Sequence, residues 1–88
     1  MPGGWTYQAY LTPYDTYLFY HTIDSGDDYF YIPLAVATQV VNGTNYRFIT
    51  IAEPKVVSGT PYFALVEIYK PLTGDAQITG ITAIDKDK

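Results

Sequence analysis

Cysteine is absent from this chain, which removes disulfides, thiolate nucleophiles and thiolate metal sites and leaves stability to packing alone. Basic residues are scarce, five Lys and Arg against nine Asp and Glu, for a net charge of −4. That balance argues against nucleic acid, whose phosphates need a basic face, and against an anionic membrane surface. No apolar run approaches the roughly 20 residues of a membrane helix. "MPGGWTYQAY" has neither the charged start nor the apolar stretch of a signal peptide. The chain therefore reads as soluble but without an assigned compartment: cytoplasmic, or secreted after loss of a leader. His21 is the only histidine and has no serine or cysteine nucleophile beside it, which speaks against a catalytic triad and against an enzyme. "DSGDD" gathers Asp24, Asp27 and Asp28 but lacks the length and closing Glu of an EF-hand loop, so it reads as an acidic turn. No metal or cofactor is expected.

What the chain does have is apolar and aromatic mass. Its 88 residues are 48% hydrophobic and 17% aromatic, enough for one folded domain over 1–88 and too short for two. In "LTPYDTYLFYHTIDSG" propensity and punctuation disagree. Thr, Tyr, Phe and Ile favour strands, yet Thr12 can cap a helix, Pro13 suits its first position and Asp15 completes a variant capping box. Gly26 offers a stop. At 100° per residue Leu11, Leu18, Phe19, Thr22 and Ile23 share an arc of roughly 140°. The punctuation predicts a helix from Pro13 to Asp24. The rival is a β-hairpin pairing "TYLFYHTI" with "YFYIPLAVA".

From Tyr29 the period changes to two. Phe30, Ile32, Leu34 and Val36 alternate with Tyr31, Pro33, Ala35 and Ala37 in one long strand, with Pro33 marking an edge or a bulge. "TNYRFITIAE", "YFALVEIYK" and "QITGITAI" follow as strands between turns, and "WTYQAY" supplies a short first one. The pattern predicts an α+β fold, one short helix wrapped by a four- to five-stranded antiparallel meander. In such a meander the Val40–Val41 tip and "PLTG" lie at the same end, joined by the chain start if the first strand runs antiparallel to its neighbour.

"QVVNGTNY" raises a separate question. Asn-Gly marks a reversal at the surface, yet two β-branched valines precede it where water would meet them. Apolar side chains on a tight turn suggest a surface made to be covered. "PGG" near the start, "QVVNGTNY" and "ALVEIYKPL", in that order with a helix between the first two, resemble the cystatin family of cysteine protease inhibitors. The likeness is nearest to its disulfide-free stefin branch and related bacterial sequences; the first-loop match is highly specific.

The resemblance implies a sheet wrapped round one helix, with the chain start and two hairpin loops forming a wedge that plugs the cleft of a papain-like cysteine protease. Gly3 or Gly4 would let the N-terminal segment pass close to the enzyme, with Met1 and Pro2 reaching its non-primed subsites. Gln39, Val40, Val41, Asn42 and Gly43 would form the first loop, the valines filling the apolar slot beside the catalytic cysteine. Pro71, Leu72 and Thr73 would supply the second. Inhibition would be competitive, non-covalent and reversible. The family is also prone to strand exchange, so a monomer able to form a domain-swapped dimer is expected, with extended Val41 no longer a wedge.

This chain departs from the family at four points. Only two residues precede the glycines, Leu72 stands where many secreted members carry tryptophan, and Trp5 has no family counterpart and reads as a cap on one end of the sheet. The helix, fourthly, sets Tyr14, Tyr17, Tyr20, His21 and Asp24 opposite its apolar arc, where relatives carry charge. Tyrosine gives large contact area at low entropic cost, so an alternative function is a protein-binding module, natural or engineered, using Tyr14, Tyr17, Tyr20 and His21. The bland alternative is that these rings pack over the rim of the sheet. Asn42-Gly43-Thr44 is also a glycosylation acceptor pattern, and a glycan there would block the wedge.

Overall fold

The computed structural model describes residues 4–23 and 28–84. Helix α1, Pro13–Thr22, begins as its punctuation predicts. The Asp15 amide donates to Thr12 Oγ1 at 3.1 Å, and the Thr12 amide donates to Asp15 Oδ2 at 3.0 Å. Two amides left without carbonyl partners at a helix start are thereby satisfied, and the buried Asp15 carboxylate faces the positive end of the helix dipole. This local chemistry overrides the strand propensity of the segment, and the rival hairpin is not formed. The helix ends at Ile23, whose amide donates to the Phe19 carbonyl at 2.8 Å. The expected stop at Gly26, and Asp24 with it, lie outside the described residues.

Strands β1 (Trp5–Gln8), β2 (Tyr29–Val41), β3 (Gly43–Pro54), β4 (Tyr62–Lys70) and β5 (Gln77–Ala83) form one antiparallel sheet in the order β1-β2-β3-β4-β5. The fold is α+β, a five-stranded antiparallel sheet with a single short helix among the described residues. Helix and sheet meet through Leu18 and Phe19, which pack on Val36, Phe48, Val66 and Ile68. The rings of Phe19 and Phe48 lie 5.0 Å apart. Leu11 and Ile23 of the expected apolar arc close the margins of this core. Thr50, fully buried among apolar neighbours, donates its hydroxyl to the Ala64 carbonyl at 2.9 Å and so leaves no orphaned donor.

The long alternation in β2 does not keep one phase. Pairing shifts between Pro33 and Ala35, with Leu34 as the extra residue. Proline cannot donate to a ladder, and the irregularity falls beside it, as expected. Before the bulge Tyr31 and Pro33 share rows with Ala52 and Thr50 on the helix side, so Phe30 and Ile32 face away. After it Val36 joins the buried Phe48 on the helix side. The four apolar residues read as one alternating set thus belong to two faces.

Candidate functional site

The register brings the predicted site residues to one end of the sheet. Trp5 pairs with Gln39, and Thr44 with Lys70, so Gly4, the turn between β2 and β3, and the segment after β4 leave the sheet side by side. Gly4 and Val40 to Asn42 are exposed, and Val41 pairs with Gly43 so that Asn42 alone occupies the apex. Val40 and Val41 keep 64% and 43% of their surface in water, and Leu72 keeps 74%. Thr73 is exposed and Pro71 half-buried. Met1, Pro2 and Gly3 lie outside the described residues.

The tip is held from behind. Gly43 is buried with φ at +113°, a backbone region that L side chains rarely enter. A Cβ there would stand 2.7 Å from both the Lys70 carbonyl oxygen and the Tyr69 hydroxyl. Glycine is therefore required twice, for the turn and for the close passage of β4. The Tyr69 hydroxyl donates to the Asn42 carbonyl, tying the apex to the strand that feeds the second loop. Asn45 Nδ2 donates to Gln39 Oε1 at 2.9 Å across the base of the hairpin. On the second loop, Lys70 Nζ donates to the Pro71 carbonyl at 3.1 Å.

Trp5 lies at the valine-tip end of the sheet. It starts β1 on the sheet face away from the helix, and the Arg47 guanidinium of β3 lies 4.1 Å from its ring centroid. Arg47 Nε in turn pairs with Glu67 Oε2 of β4 at 2.9 Å. The result is a ladder of side chains running from the first residue of the edge strand, over β2, to the centre of the sheet. Neither Tyr69 nor Trp5 was assigned a site role by sequence reasoning. The signal was long-range pairing, since Trp5 and Arg47 are brought together only by the registers of two strand pairs.

The helix face carries Tyr14, Tyr17, Tyr20 and His21, all exposed. Tyr17 stacks on His21 with centroids 5.2 Å apart, and Tyr14 lies 6.5 Å from Tyr17. Tyr20 meets Phe19 edge-on at 5.3 Å. Tyr14 also shares a hydrogen bond with Tyr46 of the core, so it belongs partly to the rim of the sheet, whereas Tyr17 and Tyr20 project outward.

Among the described residues no group of His, Asp or Glu is arranged to hold a metal, and no helix is long and apolar enough to cross a membrane. In comparisons with known proteins, the chain matches no family model, no curated protein and no solved structure.

Proposed function

We propose that this chain is a cystatin-like, reversible, non-covalent inhibitor of papain-like cysteine proteases. The observation that carries the reading is the convergence of Gly4, the Val40–Asn42 turn and the Pro71–Thr73 segment on one edge, with the valines bare and their turn restrained. Each valine fully buried in a cleft is worth on the order of 1.5 kcal/mol. A turn already held by Gly43 and Tyr69 loses little entropy on docking, so much of that burial survives as affinity. The wedge competes with substrate by occupying the cleft and offers no bond that must be cut. Leu72 takes the part of the second loop's anchor, and Gly4 lets the chain start lie against the enzyme.

The Tyr-rich helix face supports a second reading, because Tyr17 and Tyr20 are exposed and project away from the core. Such a surface would recognise an unrelated protein. One experiment separates the two. A papain-like enzyme is titrated with the wild-type chain, with Val41→Asp, and with the Tyr17→Ala, Tyr20→Ala double variant. The inhibitor reading expects competitive inhibition by the wild type, none by Val41→Asp, and full inhibition by the double variant. Absence of inhibition at micromolar protein, or cleavage of the chain without inhibition, rejects it.

A further inference from the structure

The sheet face turned away from the helix is divided into two halves of opposite character. Toward the valine tip it carries Gln39, Asn45, Arg47, Glu67 and Tyr69, as expected where one face of an antiparallel sheet meets water. Toward the other end the same face carries Phe30, Ile32, Ile49, Ile51, Phe63 and Leu65. Ile32, Ile51 and Phe63 form one cross-strand row, and Ile49 and Leu65 the next. Phe30 and Phe63 are 54% and 49% exposed. The bulge at Leu34 creates this half, because without the phase shift Phe30 and Ile32 would fall on the same side as Val36. The helix packs on the opposite side, and no described segment crosses this one.

We infer that the apolar half of this sheet face is a docking surface for a second copy of the chain, forming a weak two-fold dimer by sheet-on-sheet packing. Charge favours that occupant. One border of the patch carries Glu53 and Lys55, with Lys55 Nζ 4.6 Å from the Phe30 ring centroid, and the other carries Arg47 and Glu67. Each border therefore holds one charge of each sign. Whichever way a two-fold axis relates the copies, neither border meets only its own sign. The face has no charge bias that would select a strongly acidic or basic partner, although the whole chain carries −4. The exposed apolar area is on the order of 400 Å², within the range of a monomer's largest apolar patch, which is often functional. With its rim, two such faces bury roughly 1,000 Å², the lower bound for a specific interface. Packed sheets are themselves a standard solution for two apolar faces about 10 Å apart. The interface lies at the opposite end from the valine tip and leaves that tip free, so it does not rest on the inhibitor reading.

Sedimentation equilibrium of the full chain from about 10 μM to about 1 mM tests the proposal, because a weak dimer populates in that range. The expected result is a rapidly reversible monomer–dimer equilibrium that Phe63→Lys weakens by about tenfold or more, by burying an unpaired charge on each copy. Circular dichroism confirms that the variant is folded; Ile32→Lys, on a neighbouring row position in β2, replaces it if it is not. A chain that stays monomeric at the highest concentration overturns the proposal. So does a dimer indifferent to these substitutions, or one that persists on dilution as exchanged strands would.

Discussion

Gly43 concentrates more constraint than any other single residue at the candidate site. Its φ of +113° and the Lys70 carbonyl 2.7 Å from where a Cβ would stand act together. Gly43→Ala adds strain of about 1–3 kcal/mol from the backbone alone, and the clash with β4 cannot be relieved by turning a side chain. The expected outcome is a lower midpoint in urea denaturation together with weaker protease inhibition. A variant as stable and as inhibitory as the wild type would show that the turn relaxes without cost. Half of this was legible, because Asn-Gly after a strand announces the turn. The other half was not. Nothing local to residues 39–46 reveals that Tyr69 and Lys70, far along the chain, press against that glycine.

At the scale of elements, β1 is the most exposed to loss. It has four residues at the sheet edge and pairs only with Val36 to Gln39. The stack of Trp5 on Arg47 is an exposed cation–π contact worth about 0.5–1 kcal/mol. The Arg47–Glu67 pair behind it is half in water and adds little by itself, although it fixes the guanidinium plane. Trp5→Ala is expected to leave global stability nearly unchanged while the amides of β1 exchange with solvent faster. Amide exchange followed by mass spectrometry reads this directly, and unchanged protection would mean that the backbone ladder alone holds the strand. Legibility differed by element for a physical reason. Helix α1 was legible because its capping box is local, Thr12, Pro13 and Asp15 lying within four residues of one another. The kink in β2 was legible from Pro33. Which way Phe30 and Ile32 point was not, because a period of two says that faces alternate but not which is buried, and one inserted residue exchanges them.

The molecule as a whole relies on a few large side chains in one layer between helix and sheet, and one of them titrates. Tyr46 is only 8% exposed, and burial, with Tyr14 and Asp15 close by, pushes its phenol up to about 12. Burial also raises Tyr31 and Tyr62 above the ordinary value near 10. A folded-state value above the unfolded one means that the native state holds its proton longer. The associated stability is intact below pH 10 and declines as pH rises from 10 toward about 12. For Tyr46 the full loss amounts to about 1–3 kcal/mol. Tyr46→Phe should flatten that alkaline decline in urea-denaturation midpoints measured across the range. An equal decline in the variant would assign it to Tyr31 and Tyr62 instead.

The hydroxyl of Tyr69 also bears on how the protein ages. Asparagine followed by glycine is the pair in which the next backbone nitrogen most readily closes on the side-chain amide, expelling ammonia through a five-membered imide that reopens as aspartate or isoaspartate. Closure at Asn42 requires its peptide plane to swing, and Tyr69 grips that carbonyl. That grip is expected to slow a chemical clock set at the apex, one whose striking would place a negative charge beside the valines.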